Sequence, residues 1–372
     1  MNMNINEIIA NRGGEILGGE LGLYDKVHPN DHANYGQSTN DVIPTSGKLA
    51  IHMMCNDLLV ALERLFSTLQ IKGREFDDII KMGRTHLQDA VPIRLGQEFR
   101  AFAEPVNRDI ARIKGALEDL KYINMGATAV GTGINADVDY VHNVTKVLAR
   151  ITGIDFKQSP NLVDGTRNLD SFVWLSSALK TCAVNLSKTA NDLRLMASGP
   201  KTGLGEINLP QQQPGSSIMP GKVNPVIPEV VNQVSFQIFG NDLTITKSAE
   251  AGQLELNVFE PVLFFNLFQS IEILTNVINT FIDNCLTGIT ADKEHCKKLV
   301  DNSVGIVTAL VPHIGYKNSA DIAKESIKTG IPVAKIILDR NLLSAEELEI
   351  ILDPYEMTRP GIPGKSLLKN KI

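Results

Sequence analysis

Residues 215–225, GSSIMPGKVNP, are the stretch around which the rest of the chain is organised. Two adjacent serines, a lysine and an asparagine lie here between glycines and prolines, and a helical apolar pattern follows directly. Backbone N–H groups beside a glycine or at a helix N-terminus can stabilise the alkoxide of a serine that acts as a base. Lys222 and Asn224 add a cation and an amide for a substrate carboxylate. The competing interpretation is an ordinary Pro/Gly linker with a solvated lysine.

The stretch GQSTND, residues 36–41, supplies a second group of polar side chains. Ser38, Thr39 and Asn40 are consecutive hydroxyl and amide groups just before a predicted helix, whose first backbone N–H groups also point outward. Such a run of donors suits the oxygens of a carboxylate. The same residue types are the favoured N-caps of helices, so capping is the competing interpretation.

Three residues that precede this run in the sequence have the spacing of ligands to a divalent metal on one face of a helix: His28, Asp31 and His32. Pro29 and Asn30 disfavour a helix at this point. We therefore predict no metal site.

A third stretch, GRTHLQDAVP at residues 83–92, places the hydroxyl of Thr85 beside the imidazole of His86. Such a pair can donate to a substrate carboxylate or assist proton movement near neutral pH, although a single histidine is as often structural. Glu229 lies in the first turn of the helix after residue 225, where the helix dipole by itself favours a carboxylate.

These three stretches together resemble the signature motifs of the aspartase/fumarase superfamily, whose members eliminate across the C–C bond next to a carboxylate and release fumarate. The resemblance implies that Ser216 is the base and that the enediolate intermediate is stabilised by hydrogen-bond donors. It also implies that Glu229 pairs with His86, and that Asn40, Thr85 and His86 hold a substrate amino group. The implied substrate-binding residues are Ser38, Thr39, Asn40, Thr85, His86, Ser217, Lys222 and Asn224. His28, Asn30 and Asp31 resemble a second, peripheral dicarboxylate site of fumarase relatives.

The motifs are shared by enzymes that release ammonia and enzymes that release water. Four segments, one of them within the second motif, are more similar to the aspartase branch: QSTND, NDLRLMASGP, PEVVNQV and AEAGQLELN. They favour elimination of ammonia from L-aspartate, a carbon–nitrogen lyase reaction, over the hydration of fumarate. The resemblance extends over essentially the whole chain, including LDPYEMTRPGIPG near its end.

The family also implies partners for the chain. Its members are homotetramers in which several subunits contribute to each site, and they use no cofactor, although a divalent cation such as Mg²⁺ activates some of them. Relatives carry roughly a hundred residues, the size of a small domain, before the segment that MNMNINEIIANR resembles. We therefore expect this chain to lack the N-terminal domain. A catalytically inactive homologue that only assembles is the third alternative.

Composition excludes several other classes of protein. The chain has 372 residues, of which 43% are hydrophobic and 21% charged, enough for a sizeable core. A net charge of −6 argues against a nucleic-acid surface, which needs clustered lysine and arginine. The N-terminus has no secretory signal pattern, polar residues break the longest apolar run, around Val258–Leu286, and no segment is predicted to span a membrane.

Apolar residues at helical spacing predict long helices over residues 43–71, 95–122 and 172–198, after Pro225, and after Pro261. Strand-like alternation is scarce. The predicted fold is an all-α, elongated bundle of long helices, with residues 1–290 as the central domain and residues 291–372 as a small C-terminal helical domain. The segment GATAVGTGIN, residues 126–135, lacks the glycine spacing of a dinucleotide site, and its small residues predict either a close approach of helices or a tight turn. Four cysteines without CxxC spacing predict buried free thiols, as in a cytoplasmic protein.

Overall fold

A computed structural model describes residues 1–368 and is mainly α-helical, which confirms the all-α prediction. The helices are α1 Asn2–Ile16, α2 Thr39–Glu75, α3 Leu95–Asp119, α4 Val138–Thr152, α5 Leu162–Arg167, α6 Asp170–Met196, α7 Val226–Glu250, α8 Glu260–Asn284, α9 Lys293–Asn302, α10 Val307–Ile314, α11 Tyr316–Thr329, α12 Val333–Asp339, α13 Ala345–Ile351, α14 Pro354–Met357 and α15 Lys365–Leu368. The short strands are β1 Ile80–Thr85, β2 Gln88–Arg94, β3 Tyr122–Ile123, β4 Lys157–Gln158, β5 Ile207–Asn208 and β6 Thr290–Ala291.

The five long helices α2, α3, α6, α7 and α8 form where the periodicity predicts them. In α2 the leucines at 58, 62, 65 and 69 repeat every three or four residues and are all buried, so one stripe of the helix faces the core. Close packing requires a small residue at Gly47, because a Cβ atom there would lie 2.2 Å from the ring of Phe264 on α8.

The chain forms two compact units, each built from three separate segments. The first unit contains residues 1–63, 107–186 and 232–278, and the second contains residues 64–106, 187–231 and 279–372. The predicted C-terminal domain is residues 291–372. Its described part, residues 291–368, falls within the second unit, and its last four residues lie outside the described range. Its boundary at residue 290 stays a prediction.

In the second unit, the hairpin of β1 and β2 packs on the small helices near the C-terminus. Ile80 and Met82 of β1 belong to one buried apolar cluster with Val300, Leu310, Ile322 and Ile337. The two antiparallel strands pair from Ile80 opposite Arg94 to Thr85 opposite Gln88. The sequence did not predict this hairpin, whose tip carries two of the predicted site residues.

Helix α8 and the turn after it, Glu260–Gly288, are long and apolar enough to cross a membrane by length and composition. Leu263, Leu267 and Ile271 of this helix are buried within the protein. Such packing is that of a core helix.

All four cysteines are buried and free, as predicted. Burial raises the pKa of both Cys55 and Cys285 to about 12, so these thiols stay protonated and unreactive at neutral pH.

Candidate active site

In the first unit, Ser38 is the N-cap of α2 and combines the two interpretations of its stretch. Its Oγ accepts a hydrogen bond from the N–H of Asn40 at 3.2 Å, and its own N–H donates to Asp41 Oδ1 at 2.9 Å. These two hydrogen bonds resemble a capping box, but the hydroxyl accepts from the second residue of the helix instead of the third, and aspartate stands in the place of the usual glutamate. Capping uses only a lone pair of the hydroxyl, so the O–H donor of Ser38 stays available for a substrate oxygen.

Thr39 has a similar arrangement with helix α1. The side-chain amide of Asn2, which is buried, donates to Thr39 Oγ1 at 3.2 Å. The same amide nitrogen donates to Asn34 Oδ1, which also accepts a hydrogen bond from Asn6. Thr39 therefore keeps its own O–H as a donor.

Asn40 contacts the segment 126–135, which the sequence predicted only as a tight turn or a close approach of helices. Its Nδ2 donates to the backbone oxygen of Ala129 at 2.7 Å. Its own backbone oxygen lies where a helical hydrogen bond from residue 44 is missing, because that residue is proline. Asn124 Nδ2 donates to this oxygen instead, at 3.0 Å.

Asp41 connects the start of α2 to the segment 126–135 and is completely buried. Its Oδ2 accepts a hydrogen bond from the N–H of Thr128 at 3.0 Å, while its Oδ1 accepts the one from Ser38. Burial raises the pKa of Asp41, and the backbone N–H groups of Ser38, Thr128 and Gly126 lower it in part. The carboxylate thus ties the start of α2 to residues 126–128.

The predicted peripheral site occupies a single helical turn, Pro29–Ala33. The expectation that Pro29 and Asn30 prevent a helix is wrong here, because Pro29 stands at the first position of the turn, where its missing N–H has no helical partner to lose. His28 caps the turn by accepting from the N–H groups of Asn30 and Asp31, and His28 Nδ1 lies 3.3 Å from Asp31 Oδ2. The three predicted residues therefore lie together at the start of this turn.

In the second unit, Thr85 and His86 lie at the exposed tip of the β1–β2 hairpin. His86 and Leu87 form its two-residue turn with φ values of 53° and 60°. Turns of this kind favour Asn-Gly, and a histidine followed by a leucine with positive φ is uncommon. Within residues 1–368, the structure records no hydrogen bond or ion pair to the imidazole of His86.

A buried group of charges stabilises the base of this turn. The side chain of Glu206 is fully buried, and its Oε1 and Oε2 lie 2.7 Å from Arg84 and 3.2 Å from Lys81. Lys81 also contacts Glu98 Oε1 at 3.0 Å, and burial raises the pKa of Glu98. Arg84 immediately precedes Thr85, so the Glu206 carboxylate fixes the strand end that carries the predicted site residues.

The 215–225 segment folds into an exposed loop that closes on itself. Asn224 Nδ2 donates to the backbone oxygen of Gly215 at 2.9 Å. A Cβ atom at residue 215 would lie 1.5 Å from the Lys222 oxygen, so only glycine allows the two ends of the loop to approach this closely.

Ser216 accepts two hydrogen bonds within this loop. The N–H groups of Ile218 and Met219 lie 3.3 and 3.2 Å from its Oγ. Donors that face an oxygen favour its charged form, so this turn is suited to a serine alkoxide. Ser217 and Lys222 are exposed beside it.

Glu229 lies in the first turn of α7, where its Oε1 is 3.6 Å from Arg194 of α6. Among residues 1–368, no ion pair joins Glu229 to His86. The predicted pairing of these two residues stays a prediction for the assembled protein.

The predicted residues are divided between the two compact units. Ser38, Thr39 and Asn40 lie on the first unit, whereas Thr85, His86 and the 215–225 loop lie on the second. The sequence did not single out their supporting residues, Asn2, Asn124, Thr128, Arg84 and Glu206. One signal was available for Asn124, an amide between the apolar residues Ile123 and Met125, and Pro44 signalled a backbone oxygen that needs such a donor.

Two sequence-family models match the chain. The lyase model matches residues 1–240, and the model of the fumarase C C-terminus matches residues 306–359. Aspartate ammonia-lyase of Bacillus sp is 55% identical over 365 residues, which are 98% of this chain and 78% of the relative. Aspartate ammonia-lyase of Bacillus subtilis (strain 168) is 55% identical over 99% of this chain and 78% of its own length.

Solved structures show the same fold. A fumarate lyase:delta crystallin from Brucella melitensis, bound to cobalt, superposes with a TM-score of 0.94 at 49% identity over 96% of this chain and 78% of the other. Recombinant class II fumarase from Schistosoma mansoni superposes with a TM-score of 0.90 at 37% identity, over the same shares of the two chains.

Proposed function

The chain belongs to the aspartase/fumarase superfamily, and from that membership we propose that it is an aspartate ammonia-lyase, which eliminates ammonia from L-aspartate to give fumarate. Identity of 55% to two enzymes of that name, over nearly the whole chain, carries this proposal. The fumarase noted above is less similar, at 37% identity.

The proposed base is Ser216. Its alkoxide removes a proton from the carbon next to the β-carboxylate of aspartate, and the electron pair moves onto that carboxylate to form the enediolate. The pair then returns to form the C=C bond as the C–N bond breaks, which releases ammonia. The N–H groups of Ile218 and Met219 support this role because they stabilise the deprotonated oxygen.

The other site residues bind the substrate. Ser38, Thr39, Thr85, Ser217, Lys222 and Asn224 supply donors and one cation for the two carboxylates. Donors aimed at the developing charge of an enediolate contribute roughly 3–4 kcal/mol each to catalysis. Asn40, Thr85 and His86 hold the amino group, and these side chains do the work without an organic cofactor. A divalent cation such as Mg²⁺ is a candidate activator.

The active protein in this proposal is a homotetramer with shared sites. Large apolar side chains are exposed on the helices of the first unit, and Phe236 and Leu243 lie two turns apart on one face of α7. Trp174 and Phe265 are also more than half exposed. Exposed apolar patches of this kind mark interfaces. A neighbouring subunit would then bring its Glu229 to His86 of this chain.

Two further expectations belong to the same proposal. His28, Asn30 and Asp31 form a peripheral dicarboxylate site at the helical turn 29–33. The protein acts in the cytoplasm, where its four free thiols remain reduced.

The experiment that tests the function is the absorbance of fumarate after L-aspartate or L-malate is added separately to the purified protein. Fumarate from aspartate alone supports the ammonia-lyase, and fumarate from malate alone would make the chain a fumarate hydratase. No product from either would leave a protein that only assembles. The Ser216→Ala variant, purified in the same way, controls for a contaminating host enzyme.

A further inference from the structure

The backbone of segment 126–135 is placed where it can decide the orientation of one substrate-binding side chain. Asn40 Nδ2 lies 2.7 Å from the oxygen of Ala129. A carbonyl oxygen only accepts hydrogen bonds, so the NH₂ group of Asn40 must face it and the Oδ1 atom must point elsewhere. Within residues 1–368, the structure records no donor to this Oδ1.

The three neighbouring side chains are thereby given different hydrogen-bonding capacities. Asn2 and the N–H of Asn40 occupy lone pairs of Thr39 and Ser38, whose O–H donors remain free. Asn40 presents an acceptor. Donors suit a carboxylate, whereas an amide oxygen repels a carboxylate and attracts an ammonium group.

The Ala129 oxygen is held in place at some energetic cost. Thr128 has a φ of 57°, which is rare for a β-branched residue, and its buried hydroxyl has no hydrogen-bond partner in the described chain. Its N–H is bound by the buried carboxylate of Asp41. Strain and an unsatisfied hydroxyl at one residue are typical of a segment maintained for function.

We propose that Asp41 and Thr128 are positioning residues that hold the Ala129 oxygen against the Nδ2 atom of Asn40. The Oδ1 atom of Asn40 is thereby oriented in advance to receive the ammonium group of an amino-acid substrate. This inference rests on the proposed function, and it adds the reason why a site made of hydroxyl and amide groups prefers aspartate to a dicarboxylate without an amino group.

The test compares L-aspartate with succinate, a competitive ligand that has both carboxylates but no ammonium. The first variant is Thr128→Gly, because glycine accepts the positive φ, keeps the N–H that Asp41 binds and removes the unsatisfied hydroxyl. It should retain or raise the thermal midpoint while it loosens the segment. We expect the ratio of KM for aspartate to Ki for succinate to rise at least about fivefold, part of the roughly tenfold that a hydrogen bond to a charged group is worth.

Asp41→Asn is the second variant, in which an amide NH₂ must face one of the two N–H groups that the carboxylate binds. It should raise the same ratio. Asp109→Asn is the matched control, since Asp109 is also fully buried in the first unit and is bound by Asn185 and Arg112. The control should lower the thermal midpoint and leave the ratio unchanged.

A double variant completes the test. In an Asn40→Ala background, Thr128→Gly should change the ratio no further, because the side chain that it positions is gone. The positioning role alone would be overturned if the wild-type protein produces fumarate from aspartate but the variants weaken the binding of aspartate and of succinate equally, or weaken neither. Wild-type protein without turnover would overturn the proposed function and this inference together.

Discussion

At the scale of single residues, Ser216 is the side chain on which the chemistry depends. Ser216→Ala removes the proposed base, and general-base catalysis contributes about 10²- to 10⁴-fold, so we expect kcat to fall by that factor. The thermal midpoint should stay within a degree or two of the wild type, because the hydroxyl bonds only to N–H groups of an exposed loop. Fumarate absorbance measures the loss.

The control for this substitution is Ser46→Ala, which removes a hydroxyl from an exposed position on α2 where it bonds only to the Val42 oxygen. This variant should keep its full rate. A Ser216→Ala enzyme that retains near wild-type activity would assign the base to another residue.

A second residue-scale prediction concerns the buried carboxyl of Glu260. Burial raises its pKa to about 7, above the ordinary value of 4.5, although the charge of Lys48 lowers it in part. The folded state therefore binds more protons than the unfolded state between these two values. The stability from this group is fully present below about pH 4.5 and is lost as the pH rises to about 7, by roughly 3 kcal/mol.

Glu260→Gln should therefore flatten the fall in thermal midpoint across that pH window. The stability that the variant gains at neutral pH is reduced, because the substitution also removes an attraction for the buried ammonium of Lys48. Glu104→Gln, at an exposed position on α3, is the control and should follow the wild type. If the thermal midpoints of the two variants change with pH in parallel, Glu260 does not have a raised pKa.

At the scale of elements, the β1–β2 hairpin has a strained turn that carries His86. Leu87 is 70% exposed with a φ of 60°, so Leu87→Gly should stabilise the hairpin by about 0.5–1 kcal/mol and leave kcat within twofold. His86→Gly relieves the same kind of strain, but it should lower kcat/KM by about 100-fold because it removes the imidazole. Thermal midpoints and initial rates of both variants check these values. Full activity in His86→Gly would show that the strain at residue 86 is not maintained for chemistry.

The sequence predicted the helices better than it predicted this hairpin, for physical reasons. Helix α2 depends on leucines repeated along one stripe, which is a local pattern. Strand β1 buries Lys81 between Ile80 and Met82, so the apolar alternation of a strand is absent, and a His-Leu pair is not a recognised turn signal. The charges that make Lys81 compatible with burial belong to Glu98 on α3 and to Glu206, which lies far along the chain.

The same limit applies to the candidate site. The hydroxyl, amide and imidazole residues could be selected from three short motifs. Their supporting contacts could not be predicted, because they join residues that are far apart in the sequence. Asn40 bonds to Asn124 across 84 residues, Asp41 to Thr128 across 87 and Asn40 to Ala129 across 89. Contacts at such separations depend on the fold and leave no periodic pattern in the sequence.

At the scale of the whole molecule, the proposed sharing of sites between subunits is supported by the surface of the long helices. In that proposal the imidazole of His86, for which no hydrogen bond or ion pair is recorded among residues 1–368, meets a group of a neighbouring subunit. Long helices with exposed phenylalanine, leucine and tryptophan side chains provide surfaces on which neighbouring subunits can pack.

Shared sites make a quantitative prediction for mixtures of two inactive chains. Ser216→Ala and His86→Ala proteins should each be nearly inactive as homotetramers. If a site takes its serine from one subunit and its histidine from another, random mixed tetramers at equal ratio contain about a quarter of sites with both residues intact. Unfolding the two variants together and refolding them should therefore restore about a quarter of the wild-type rate of fumarate formation. Mixing them without unfolding is the control and should restore little while the tetramers stay intact. Sites complete within one chain would leave the refolded mixture as inactive as its components, since no chain in it carries both residues.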